Sequence, residues 1–389
     1  MPIAFVYTSF IFKSIFLALN TNMPEFCKFL EHGLQYDNNT VNFTVRPCCF
    51  FSKRYKIDAT KNIPEQYQKY KSLWKNENLN KTCKVCIDHE KSGMESYRQA
   101  SFDMVPTDAT AVSVLTVAIN KECNLACPQC SSDYSSLWYR ENLRNGIKES
   151  PEVTSYHIDN HRGKTTENFI SLFDENDFDN LKYIKFGGGE PLMTDTHLIV
   201  LDKIKDPSTV ELQYTSNFSI MPSAKTLEKW SKFKNVKWMA SIDGTEDRFS
   251  LLRWPHTWEK LEKLCDRAVA ETPDNVTFGI EHTLNMLNIF YFDKLEKWYL
   301  TKFCKGQAHR RGVLSLHNVF GKLSLAEVPL SLKNSIIEKY GKTHKITKIL
   351  NSQSKAEDYG ASVRYMDLLD KQRKTNWRST FAEIEMHYD

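Results

Sequence analysis

From about residue 110 the chain alternates between short apolar runs rich in β-branched residues and longer segments with helical spacing. "AVSVLTVAIN" (111–120), "LKYIKF" (181–186), "TVELQYTSN" (209–217), "VKWMASID" (236–243), "VTFGIEHTLN" (276–285) and "GVLSLHNVF" (312–320) have the length and composition of buried strands. Between them stand "TTENFISLFDEN", "THLIVLDKIK", "SAKTLEKWSKF", "TWEKLEKLCDRAVAET" and "IFYFDKLEKWYLTKF", whose apolar residues recur every three or four positions. Strand–helix alternation of this kind predicts an α/β fold with a parallel sheet and helical crossovers, open and doubly wound or closed into a barrel. Residues 131–180 form a longer insertion ahead of the second strand.

Polar motifs fall at the carboxyl ends of the first four strands. "KECNLACPQC" (121–130) follows the first, "GGGEPL" (187–192) the second, "TSN" (215–217) ends the third and "SIDG" (241–244) the fourth. In α/β barrels that rim carries the active site.

The opening loop places Cys123, Cys127 and Cys130 on one short stretch. A closed zinc site takes four ligands, and iron–sulfur cubes are usually held by four cysteines. Three thiols alone would leave one iron of a cube open to a small molecule. Spacing by itself leaves open a zinc knuckle with a distant fourth ligand, or three unrelated thiols. "FGGGEPL" (186–192) lacks both the P-loop ending and the dinucleotide glycine spacing. Its glycines suit a tight turn or a close approach to a ligand, and the carboxylate of Glu190 can accept from an ammonium group.

Together these motifs resemble the radical S-adenosylmethionine (SAM) superfamily. The resemblance covers about residues 110–320 and implies a partial (β/α)6 TIM-like barrel. It implies a SAM-cleaving 4Fe–4S cluster on Cys123, Cys127 and Cys130, whose open iron takes the amino and carboxylate groups of SAM. A 5′-deoxyadenosyl radical then abstracts a substrate hydrogen. It assigns Gly188, Gly189 and Glu190 to the methionine amino group, and Asn217, Ser241 and Asp243 to the SAM carboxylate and ribose. It further implies an electron donor such as flavodoxin or ferredoxin. The sequence departs from the family at Gln129, where an aromatic residue commonly packs on the adenine.

Ahead of the barrel, "FCKFLEHGLQYDNNTVNFTVRPCC" (26–49) reads as two strands around an Asp-Asn-Asn turn, with Cys27 before and Cys48 and Cys49 after. Cys83 and Cys86 follow as C-x-x-C. Such a set can hold zinc or a second iron–sulfur cluster. The layout is similar to the auxiliary-cluster modules called SPASM or twitch domains. That likeness implies a second cluster on Cys27, Cys48, Cys83 and Cys86, with Cys49 a neighbour, and a peptide or protein substrate. Radical chemistry on a nucleoside, sugar or other small metabolite, or a metal-stabilised binding protein without catalysis, are the other readings.

The expected organisation is an extension (1–22), a cysteine-rich module (23–105), the barrel (106–320) and a helical region (321–389). The apolar start is split by Lys13 and lacks a basic n-region, which makes a poorly formed secretory signal; the reading favoured is a short amphipathic helix or sequence upstream of a start at Met23. Of ten cysteines only Cys265 and Cys304 lie beyond the opening loop, and they read as buried small hydrophobes. Clustering of the others points to metal and a reducing, cytoplasmic setting rather than disulfides. A net charge of +4, from 52 basic and 48 acidic residues, argues for neither nucleic acid nor a membrane surface. No run reaches the roughly 20 apolar residues of a membrane span. The basic stretches "HRRG" (309–312) and "KQRKTNWRS" (371–379) read as solvated surface.

Overall fold

The computed structural model describes residues 27–37, 44–58, 60–91, 95–158, 164–319, 321–353 and 360–388. The segment ahead of Met23 and the middle of the amino-terminal hairpin turn lie outside them.

Nine strands form one sheet: β1 (Gly33–Asp37), β2 (Thr44–Arg46), β3 (Tyr55–Lys56), β4 (Val114–Ala118), β5 (Tyr183–Gly187), β6 (Glu211–Ser216), β7 (Asn235–Ser241), β8 (Val276–Leu284) and β9 (Arg311–Asn318). Their spatial order is β3-β2-β1-β4-β5-β6-β7-β8-β9. The strands from β4 to β9 pair in parallel, as the six strand–helix repeats predict. Among the described residues β3 and β9 do not pair, so the sheet is a partial barrel and not a closed one.

The amino-terminal hairpin joins this sheet. β1 and β2 are antiparallel, as the turn residues predict, while β1 runs parallel to β4 with Gln35 opposite Thr116. One apolar core runs from Phe29, Tyr36 and Phe51 through Leu115, Ile184, Tyr214 and Trp238 to Phe278.

Strand side chains alternate in burial. On β5, Ile184 and Phe186 are buried while Lys185 and Gly187 are part-exposed, and β6 repeats the pattern with Leu212 and Tyr214 against Gln213 and Thr215. A parallel sheet covered on both faces reads as continuous apolar runs. Here the crossover helices cover one face, while Tyr97, at the start of the helix Tyr97–Met104, approaches the other at Lys185. The helix Trp258–Glu271 buries Leu261, Leu264, Cys265 and Ala268 on a single stripe, and Thr257 caps its start by accepting from Lys260 N. The opposite face carries polar side chains and is concave. Lys185 on β5 and Glu281 on β8 stand three strand spacings apart, roughly 14 Å in a flat sheet. Their Nζ and Oε1 are nevertheless 3.3 Å apart. Side chains stand near-perpendicular to a sheet, so this meeting requires the sheet to curl around that face.

A second apolar core lies beyond the carboxyl ends of β8 and β9, joining Ala126 and Trp138 to Leu284, Leu323, Leu369 and Trp377. It seats the carboxyl-terminal helices over the loop that follows β4.

In the two basic stretches His309, Lys371, Lys374 and Ser379 are exposed as the sequence predicts, whereas Arg310, Arg373 and Trp377 are not. Arg310 is 2% exposed and donates to the carbonyls of Val269 (2.8 Å), Pro273 (2.8 Å) and Val276 (2.9 Å), with its guanidinium 4.9 Å from the Phe278 ring centre. It tethers the carboxyl end of helix Trp258–Glu271 to the start of β8, where a cation also offsets the helix dipole. The Arg373 side chain is 4% exposed, donates to Glu141 at 2.7 Å and lies on the Trp138 ring. Trp377 is fully buried and donates to Asp367. These basic and aromatic residues therefore hold the fold together. Cys265 and Cys304 are buried within the main core, as small hydrophobes would be.

Candidate active site

The loop after β4 continues the sheet for several residues before it turns. Ile119 N donates to Gly187 O (3.0 Å), Gly189 N to Asn120 O (2.7 Å) and Glu190 N to Glu122 O (2.6 Å). The glycine run and the cysteine loop are thus zipped backbone to backbone. A Cβ on Gly189 would stand 2.2 Å from Glu122 O, and Gly188 has φ +114°, a region that side chains avoid. In the structure the close approach these glycines permit is to the cysteine loop itself.

The loop's backbone groups are taken up by neighbours. Ser135 Oγ donates to Leu125 O (2.6 Å), Trp138 Nε1 to Cys127 O (2.9 Å), Tyr365 OH to Pro128 O (3.0 Å), and Ala126 N to Trp254 O (2.7 Å). Ser135 and Trp138 belong to the start of helix Ser136–Arg144 and Tyr365 to helix Ala361–Arg373. Three separate parts of the chain hold one loop in shape.

Cys123, Cys127 and Cys130 share one patch with Leu125. Burial raises all three thiols, with Cys127 adding to the rise at Cys123 and Cys130, and Cys130 is pushed up to about 12. A buried thiol of this kind becomes a thiolate when a cation offsets the charge, as a metal centre does. Among the described residues no group of three or more His, Cys, Asp or Glu side chains is arranged to hold a single metal ion. In a cube each thiolate meets its own iron, so convergence on one point is not required. The all-sulfur donor set fits iron–sulfur chemistry.

The other residues implied by the resemblance lie around this patch. Glu190 is fully buried. Its Oε1 accepts from Leu192 N (3.1 Å) and its Oε2 from Asn217 N (2.5 Å), tying the end of β5 to the end of β6. Burial is the largest influence on its carboxyl and raises it to about 7, against the lowering effect of those N–H donors. The Asn217 amide donates to Asn124 Oδ1 (2.9 Å) and reaches Cys123 Sγ at 3.6 Å. Ser241 ends β7, part-exposed on the concave side. Asp243 is fully buried. Its Oδ1 accepts from Thr283 N (2.7 Å), while Oδ2 takes Arg253 (2.7 Å) and the Gln129 amide. Gln129, which stands where the family commonly has an aromatic residue, thus closes onto Asp243.

Arg253 was not legible as a site residue. It bridges Asp243 and Cys127, with Nη1 3.9 Å from Cys127 Sγ. Its segment "LLRWPH" matches no catalytic motif, and the only hint is a proline that ends the helix Glu246–Leu252 close by. Trp138 and Tyr365 were missed for the same reason, because their role is to satisfy backbone groups distant in sequence.

The amino-terminal thiols gather separately. Cys27, Cys48, Cys83 and Cys86 line one cavity with Phe29, Pro47, Phe51 and Arg98. Cys83 and Cys86 come from the helical stretch that includes Lys84–Lys91. Burial raises each of the four, and Cys86 is pushed up to about 12 with Cys27 and Cys83 adding to the rise. Cys49 does not line this cavity. After burial, the charges acting on it are those of Lys185, Arg46 and Glu281, so it lies toward the concave sheet face. The two cysteines sit in a bend and turn after β2, closed by Phe51 N donating to Cys48 O (3.3 Å), so the turn and not strand alternation sets them apart.

No family model matches the chain, and no curated protein matches it. Among solved structures it is similar to native anSMEcpe with bound AdoMet, at 15% identity and a TM-score of 0.39, covering 63% of each chain. It is similar also to Streptococcus suis SuiB bound to S-adenosylmethionine, at 12% identity and a TM-score of 0.36, covering 88% of this chain and 70% of that one. SuiB bound to precursor peptide SuiA matches at 12% identity and a TM-score of 0.33 over the same shares. The match spans less than two thirds of the anSMEcpe chain.

Among the described residues no helix is long and apolar enough to cross a membrane.

Proposed function

We propose that this protein is a radical SAM enzyme that modifies a peptide or protein. The observation that carries the reading is the meeting of Cys123, Cys127 and Cys130 with Glu190, Asn217 and Asp243 at the carboxyl ends of parallel strands. Cys123, Cys127 and Cys130 would hold a 4Fe–4S cluster, and Gly188, Gly189, Glu190, Asn217, Ser241 and Asp243 would surround SAM. When bound, the cluster supplies the electron for reductive cleavage of SAM and so for hydrogen abstraction from the substrate.

The chain's own part is positioning. Glu190 fixes the distance between the ends of β5 and β6, and Asn217 carries that constraint to Cys123. Arg253 sets a positive charge beside Cys127 while Asp243 balances it in a buried setting, where Coulombic effects are strong. Helix Ser136–Arg144 and Tyr365 hold the loop backbone and so keep the three thiols together, which lowers the reorganisation that binding requires. The four amino-terminal thiols suit a second iron–sulfur cluster, and the resemblance to auxiliary-cluster modules supports the peptide substrate. A small acidic electron carrier such as flavodoxin or ferredoxin completes the scheme.

The test is release of 5′-deoxyadenosine by the anaerobically reconstituted full chain with SAM and dithionite. Wild-type protein is expected to release it, and Cys127→Ala to release none while keeping its circular-dichroism spectrum. Equal release by Cys127→Ala, or none by an iron-loaded wild type, overturns the assignment.

A further inference from the structure

The concave face of the sheet contains a charged network that the cysteine loop does not use. Lys185 on β5 and Glu281 on β8 pair at 3.3 Å, and their side chains keep 17% and 14% exposure. Solvent therefore reaches them from the concave side. Gln213 on β6 donates to the same Glu281 Oε1 at 3.0 Å. The Lys185 ammonium stands 6.0 Å from the centre of the Tyr97 ring, on the helix Tyr97–Met104 of the amino-terminal segment. His317 on β9 stands opposite Thr283, two residues on from Glu281 and therefore on the same face of the sheet. Its Nε2 is buried and has no hydrogen-bond partner among the described residues. Buried polar atoms are nearly always satisfied, and an exception beside a charged pair that solvent reaches points to a ligand.

The network lies between the two groups of thiols. Cys49 is within electrostatic reach of Lys185 and Glu281, while its neighbour Cys48 lines the amino-terminal cavity. At the other end, Ser241 opposes Glu281 in strand register, two residues before Asp243.

Its charge balance selects among substrates. On this face Lys185 is matched by Glu281, and Lys237 by Glu211 at 3.1 Å. A phosphate or carboxylate would have to draw Lys185 away from Glu281 and strand a half-buried carboxylate, at high cost. An amide has an acceptor and a donor side by side. Its carbonyl can take an N–H of Lys185, its N–H can reach Glu281, and His317 Nε2 supplies a further partner.

We propose that the concave face around Lys185, Gln213, Glu281 and His317 binds an uncharged amide-type group of the substrate, of the kind a peptide carries. This rests on the reading of the protein as an enzyme whose reacting centre is the cysteine loop. The site favours peptide-like substrates and disfavours nucleotides and sugar phosphates.

Saturation-transfer NMR on the full chain tests it, with N-acetylglycinamide as the amide probe and ribose 5-phosphate as the anionic contrast. N-acetylglycinamide is expected to receive saturation, and ribose 5-phosphate less than a fifth as much. The amide signal is expected to fall at least five-fold in His317→Leu and in the double variant Lys185→Met, Glu281→Leu, which strands no charge. Melting curves establish that each variant is folded, and His317→Leu decides the matter if the double variant is not. No transfer to the amide, an undiminished signal in folded variants, or a stronger response to ribose 5-phosphate overturns the site. Amide binding by an iron-loaded wild type that releases no 5′-deoxyadenosine leaves the site standing and overturns the enzymatic reading instead.

Discussion

Arg253 and Asp243 form a buried ion pair at 2.7 Å whose guanidinium also reaches the Cys127 sulfur at 3.9 Å. The Asp243 side chain is fully buried and that of Arg253 is 11% exposed. One cation therefore serves two negative partners once Cys127 is ionised. The pair links the end of β7 to the cysteine loop, and the next residue, Trp254, holds the loop again through its carbonyl.

Removing this cation should weaken the fold as well as the site. Arg253→Met leaves Asp243 buried without its countercharge, which costs about 3–5 kcal/mol. Urea denaturation of the two proteins measures it. Adding Asp243→Leu should recover more than half of the loss, because no buried charge then remains. A single-variant loss below about 1 kcal/mol would mean that the Thr283 N–H and the Gln129 amide, not Arg253, carry the balance at Asp243.

Neighbouring glycines should differ sharply. Gly189→Ala forces a Cβ to 2.2 Å from Glu122 O, so the cysteine loop must shift. We expect a loss of about 1–3 kcal/mol and a fall of at least half in iron bound on anaerobic reconstitution. Gly187→Ala meets nothing within 4 Å and should stay within about 0.5 kcal/mol of wild type. Iron analysis and urea melts of both variants check the contrast, and equal behaviour would refute it.

Glu190 should make stability fall as pH rises. Its folded carboxyl titrates at about 7, raised chiefly by burial, whereas an unfolded glutamate titrates at about 4.3. Between those values the folded state binds the extra proton, so the contribution is complete below about pH 4.3 and lost as pH passes about 7. The change is at most about 3–4 kcal/mol. Glu190→Gln removes the titration, so the wild-type minus variant stability, from urea melts between pH 5 and 8, should decline by that order. A flat difference would show that the Leu192 and Asn217 N–H groups keep the carboxylate ionised throughout.

The amino-terminal thiols should bind iron independently of the loop. In a Cys123→Ala, Cys127→Ala, Cys130→Ala variant, about four irons per chain should remain if the cavity of Cys27, Cys48, Cys83 and Cys86 holds a cube. Cys49→Ser should not lower that value, since Cys49 lies outside the cavity. Zinc without iron in the triple variant would establish a structural metal site instead.

Much of this protein is legible in its sequence because the signals are local. β-Branched runs set strands, helical spacing sets crossovers, and the order of elements then places the motifs after β4, β5, β6 and β7 on one rim. Adjacency of Cys48 and Cys49 does not by itself set their directions, since a turn after β2 separates them. Tertiary structure decided the rest, where a residue's role depends on partners far along the chain. Arg253 meets Cys127 across 126 positions and Tyr365 meets Pro128 across 237, and no periodicity encodes either contact. The basic stretches at 309–312 and 371–379 look like solvated surface because charge is read locally. Only the packing around them shows that Arg310 and Arg373 are buried, each held by carbonyl or carboxylate acceptors that folding brings to it. The concave face is the furthest from the sequence. Lys185 and Glu281 lie 96 positions apart on strands three places removed, and they meet because a twisted parallel sheet curls when helices cover one side of it.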